Sequence, residues 1–158
     1  MIAYKIIGSV LLLAAGGVTS FAVYRYERRK LTVIDGFISL IMYIKGQIDC
    51  CLMPLPEILS GADRELMSAC MSGYGERRFE NMVRNCRFLL EREPSRLLKA
   101  FSSELGCLYR DEQLKRCEYY IAALTAEREK LSARFPARIK LASTLLLCFS
   151  AGAVILLW

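Results

Sequence analysis

The stretch 31-LTVIDGFISLIMYIKGQIDCCLMPLPEIL-59 decides how the chain folds. Leu31, Ile34, Ile38 and Ile41 recur at 3-4-3 spacing, Ile48 follows, and Lys45 interrupts the row between them; Val33, Phe37, Leu40 and Ile44 widen the stripe. A period near 3.6 gathers these residues on one face of an α-helix, whereas strand alternation would scatter them over two faces. That helix must end near Cys51, because Pro54 disfavours helical geometry in Met53. Pro56 then suits the first turn of a second helix, where its missing N–H leaves no intrahelical bond unmade. The run Pro54-Leu55-Pro56-Glu57 therefore predicts a corner between two helices.

Downstream the same period recurs. Residues 56-PEILSGADRELMSACMS-72 predict a helix that buries Ile58, Leu59, Leu66, Met67 and Cys70, with Gly61 as its weak point and 73-GYG-75 as its end. Residues 76-ERRFENMVRNCRFLLERE-93 place Phe79, Met82 or Val83, Cys86 and Leu89/Leu90 on one face, and Pro94 is expected to stop them. In 95-SRLLKAFSSEL-105, Ser95 is the expected N-cap, and Leu105 is followed by Gly106 just past the end. Asp111 is placed to cap a long helix with a seam of Leu114, Cys117, Ile121, Leu124 and Leu131, Arg128 taking the skipped position. Pro136 is expected to bend it. No extended β-alternation occurs, so the predicted fold is all-α, an antiparallel helical bundle of about five elements joined by short turns.

Both ends of the chain differ from this middle. Residues 6-IIGSVLLLAAGGVTSFAVY-24 and 141-LASTLLLCFSAGAVILLW-158 carry no charge. As helices they would be roughly 27–28 Å long, about the thickness of a bilayer's hydrocarbon core. The intervening residues 25–140 hold 21 of the 22 Lys/Arg and all 16 Asp/Glu, a net charge of +5. The predicted organisation is a transmembrane helix in 1–24, a cytoplasmic helical bundle in 25–140 and a second transmembrane helix in 141–158. A cleaved leader is the alternative for the first span. Only Lys5 supplies a basic flank, however, and the apolar run exceeds the usual 7–15 or so residues of a leader, which favours a retained anchor. Basic 25-RYERRK-30 and the group Arg134, Arg138 and Lys140 flank the inner ends of the spans, which places the bundle on the cytoplasmic side. Small residues one turn apart, Gly16 with Ser20 and Cys148 with Gly152, allow close helix contact within the bilayer.

Chemistry is sparse along this chain. The seven cysteines include no CxxC pair, and there is no histidine, which excludes the usual Cys2His2 and Cys3His zinc sites. Phosphate-cradling and nucleophile-elbow motifs are missing, and 73-GYGERRF-79 has Arg78 where a dinucleotide fingerprint needs glycine. The expectation is a non-enzymatic protein without catalytic residues, cofactor, metal or small-molecule substrate. Its positive charges are mixed with acids except near the membrane, so no nucleic-acid partner is expected. Adjacent Cys50-Cys51 leaves one alternative open, a membrane thiol redox protein; a generic membrane-anchored helical adaptor is another.

Several elements together give the chain a family likeness. The N-terminal span, the basic patch beside it, 40-LIMYIKGQI-48, the PLPEIL corner, 104-ELG-106, the helix containing Gln113 and the C-terminal span resemble the stage III sporulation protein AB family of endospore-forming bacteria. Gln47 stands where members tend to carry an acidic residue, and 140-KLASTL-145 lacks a Leu-Gly pair common at the entry to the last span. The resemblance implies a component of the mother-cell membrane whose helical domain is similar to that of the type II secretion and type IV pilus platform protein. It implies a secretion-like complex between mother cell and forespore. The partners implied are other subunits of that complex and a secretion-type ATPase, with Pro54, Leu55, Pro56, Glu57, Leu105 and Gly106 as structural or interaction residues.

Overall fold

The computed structural model describes residues 2–50, 54–70 and 78–157, with the side chains of 14–50, 54–70, 78–146, 148, 149, 151 and 152. The regular elements among them are helices: α1 (Ile2–Cys50), α2 (Leu55–Ser60), α3 (Arg64–Ala69), α4 (Phe79–Asn85), α5 (Arg92–Glu104) and α6 (Arg110–Leu157). The all-α expectation holds. Two compact units form, a central one of Arg29–Leu131 and a terminal one of Met1–Arg28 with Ser132–Trp158.

In the central unit the stripe read from the sequence becomes the core. Val33, Ile34, Phe37, Leu40, Ile41 and Ile44 of α1 are at most 1 % exposed. They meet Ile58 and Leu59 of α2, Met67 of α3, Met82 of α4, Leu98 of α5 and Leu124 of α6. Aromatic rings tie four helices together: Phe37, Phe79, Phe101 and Tyr120 follow one another with centroids 5.7, 5.1 and 5.3 Å apart, each pair edge to face. That geometry suits the ring quadrupoles and makes each contact orientation-specific. Asp35 pairs with Arg128, Lys45 with Glu118 and Asp49 with Arg110. Numbers rise along α1 as they fall along α6, so the two helices run antiparallel through this unit. Gly36 admits the end of α3: a Cβ there would lie 3.0 Å from both the carbonyl carbon and the Cβ of Ala69.

Several sequence-based expectations are corrected. The helix expected over 56–72 is two, because Gly61 caps α2 and Asp63 starts α3, with Ala62 turned into the core between them. Glycine costs most in a helix interior and aspartate favours helix starts, so the break falls where propensity is weakest. Of the helix expected over 76–93, residues 76 and 77 lie outside the described residues, α4 covers Phe79–Asn85, and Arg92 and Glu93 already belong to α5; Cys86 caps α4, and the turn that follows buries Leu89 and Leu90 while leaving Phe88 outside. Pro94 stops nothing. It sits buried in the first turn of α5, where proline is tolerated, with Glu91 as the N-cap. Ser95 lies inside that helix and donates its N–H to the Glu91 carbonyl at 3.0 Å. Helix α6 begins at Arg110, with Asp111 in its first turn, and continues through Pro136. Its buried seam is Gln113, Cys117, Tyr120 and Leu124, with Leu114 and Ile121 half-buried at the flank. The edge-to-face contact of Tyr120 with Phe101 goes with this rotation of the face.

The terminal unit is built from the first part of α1 and the last part of α6. Within it, Tyr24 packs on Phe135 with ring centroids 5.6 Å apart, and Arg138 faces Glu27 at 3.7 Å.

Candidate functional site

At one end of the central unit, α1 stops and leaves carbonyls without helical partners. Arg110 takes them: its Nη2 donates to the Asp49 carbonyl and to Asp49 Oδ1, both at 2.7 Å, and its Nε donates to the Ile48 carbonyl at 3.4 Å. A guanidinium at this position also opposes the negative end of the helix dipole. Beyond α1, Pro54 adopts φ −65° and ψ 141° as the N-cap of α2, and its carbonyl accepts from Glu57 and Ile58 N–H at 2.9 and 3.2 Å. Pro56 occupies the first turn, as its lack of an N–H led us to expect.

The other half of the corner comes from the α5–α6 connection. Leu105 caps α5 and is buried, and Gly106 follows with φ 82°, a left-handed conformation that suits glycine. Gly106 N–H donates to Gln113 Oε1 at 3.0 Å. A Cβ at Gly106 would lie 3.8 Å from Leu55 Cδ2, so the structure brings the Pro54-Leu55-Pro56 run and the Leu105-Gly106 pair together. Leu55 packs against the core, whereas Pro54, Pro56 and Glu57 are exposed. The corner thus has an apolar inner side and a rigid outer side bearing two prolines and a carboxylate.

Two residues that hold this corner were not singled out as site residues from the sequence. Gln113 is 3 % exposed and serves as a side-chain acceptor; a lone amide in an apolar seam, four residues before Cys117, is the signal that marks it. Arg110 carried no signal, because its partners lie on a helix distant in sequence.

The cysteines divide by environment. Cys50 is exposed at the end of α1, while Cys51 and the 73-GYG-75 turn lie outside the described residues. Burial pushes the Cys70 thiol up to about 12 and the Cys86 thiol up to about 11, and it raises Cys117 as well. Cys86 Sγ donates to the Cys70 carbonyl at 2.8 Å. Thiolates are the reactive form, so these three buried groups are poor nucleophiles at neutral pH. Among the described residues no cluster of three or more metal-ligating side chains occurs.

In the terminal unit, Val18, Phe21, Leu141, Leu145 and Phe149 are each more than half exposed. Thr19 Oγ1 donates to the Ala15 and Gly16 carbonyls at 2.9 and 3.0 Å, and Ser143 Oγ to the Ile139 carbonyl at 2.6 Å, so both hydroxyls are satisfied without water. Gly16, Ser20 and Gly152 are half-buried, and among the described residues nothing approaches within 4 Å of a Cβ built on Gly152. By length and composition, one helical stretch among the described residues could cross a membrane, Ala14–Cys50.

The sequence profile described as stage III sporulation protein AB matches residues 5–158. No curated protein and no solved structure matches the chain. With all but the first four residues of its length accounted for, the chain belongs to the stage III sporulation protein AB family.

Proposed function

We propose that the protein is a non-enzymatic platform held in the mother-cell membrane by two spans, 1–24 and 141–158. Its central helices, a bundle on the cytoplasmic side, dock a secretion-type ATPase or neighbouring subunits of a secretion-like complex between mother cell and forespore. The observation that carries this reading is the apolar surface on both arms of the terminal unit, where Phe21 and Phe149 are 61 % and 80 % exposed. Lipid suits such surfaces and water does not. Hydroxyls bonded back to their own helices, as at Thr19 and Ser143, meet the demand a bilayer makes on polar groups. Gly16, Ser20 and Gly152 serve close helix packing within the bilayer.

Because α1 and α6 each contribute to both units, the central unit is tethered through two helices, as a platform requires. Pro54, Pro56 and Glu57 offer the outward face of the corner to a partner, while Leu55, Leu105 and Gly106 hold its shape.

Deletion of the gene in a spore former is expected to block development after engulfment; normal spore yield would overturn the proposal. Replacing Pro54 and Pro56 together with alanine is expected to lower spore yield and weaken assembly of the complex, read by co-purification. Cys50→Ser with Cys51→Ser is expected to leave spore yield unchanged, which separates the platform reading from a thiol redox function.

A further inference from the structure

A groove of about 500 Å3 lies between α4 and α5, away from the proline corner. Arg84 and Arg87 come from α4 and the turn after it, Lys99 and Ser102 from α5, with Val83 in the lining and Glu80 beside Arg84. Among the described residues the cations here lack carboxylate partners. Arg84 donates to the neutral Asn81 Oδ1 at 3.1 Å, and Arg87 and Lys99 face no acid within ion-pair distance among the described residues. Elsewhere in the unit Arg96, Arg110 and Arg116 face carboxylates at 2.9, 2.7 and 3.6 Å. Uncompensated charges that share a concave surface focus their field into it.

We propose that this groove seats an acidic segment of a partner protein, with carboxylates over Arg84, Arg87 and Lys99 and apolar side chains along the aliphatic stems of the same residues. Cations from α4, the turn after it and α5 suit a chain that presents several separate carboxylates. The exposed lining is more apolar than polar, a surface that a bare anion would not use, and Glu80 opposes a uniform polyanion. The inference rests on the reading of the protein as a docking component. Its test uses purified protein, so its failure would leave the spore-yield result untouched.

The probe is a fluorescein-labelled peptide of alternating glutamate and leucine, titrated by anisotropy against the full-length protein in nanodiscs of neutral phosphatidylcholine. Binding is expected to weaken about tenfold when glutamine replaces glutamate in the peptide, and about tenfold in R87E/K99E. It is expected to change less than about twofold in R92E/K115E, which reverses two exposed charges outside the groove. Should the reversal perturb the circular dichroism spectrum, R87Q/K99Q repeats the measurement with neutral side chains. No binding by the wild-type protein, equal losses in the groove and control variants, or recognition only of phosphatidylglycerol vesicles would each overturn the proposal.

Discussion

Gly36 and Gly106 look alike in the sequence and do different work. Gly106 follows Leu105, the cap of α5, with φ 82°, and its place after 95-SRLLKAFSSEL-105 made that role legible. Gly36 stands inside a helical stripe with no local mark; its reason is the end of α3, which only the folded chain brings within 3.0 Å. Gly36→Ala therefore drives a Cβ against backbone and is expected to cost about 1–3 kcal/mol in urea unfolding. Gly106→Ala is expected to cost roughly 1–2 kcal/mol through its left-handed backbone. The buried thiols predict a pH effect at the same scale. Folded Cys70 titrates near about 12 against an ordinary 9.0, so the unfolded chain loses its proton first. The contribution is complete below pH 9.0 and declines as pH rises towards 12, and Cys70→Ala is expected to flatten that part of the alkaline melting curve.

At the scale of elements, helix period identified α1 and α6 and most of their buried residues, because a stripe of apolar side chains is a local property. The exact face of α6 was not legible. Leu114 and Ile121 are more apolar than Gln113 and Tyr120, yet the latter pair turns inward to meet Gly106 and Phe101. Gln113→Leu removes the acceptor for Gly106 N–H and is expected to cost about 1–3 kcal/mol despite adding apolar surface. The start of α5 was not legible, since Pro94 lies in its first turn rather than ending a helix before it, and that place depends on Glu91 as the cap. The forces joining the elements differ in size. Phe101→Ala, at a position 0 % exposed between Phe79 and Tyr120, is expected to cost about 3–5 kcal/mol. Asp35→Ala, which breaks a solvent-facing pair with Arg128, is expected to cost less than about 1 kcal/mol. A comparable loss in the two variants would show that the ion pair between α1 and α6 contributes as much as the ring contacts that join α5 to α4 and α6.

For the whole molecule, the all-helical class was legible in the apolar period, whereas the charge-free ends and the basic flanks carry the proposed membrane anchoring. Mixed polar and apolar residues supplied one core in the central unit, and in the terminal unit Val18, Phe21, Leu141, Leu145 and Phe149 are exposed. Membership of a sporulation family gives that arrangement its biological setting. The corner of Pro54, Leu55, Pro56 and Gly106 was legible in its parts, but their meeting was not, because contacts distant in sequence leave no local period. The central claim, an anchored protein with its middle on the cytoplasmic side, is tested most directly by labelling exposed Cys107 with a membrane-impermeant maleimide in intact protoplasts. Cys107 is expected to stay unlabelled until the membrane is permeabilised, and the protein to remain in the membrane fraction after a carbonate wash. Labelling of Cys107 in intact protoplasts, or release of the protein by carbonate, would contradict it.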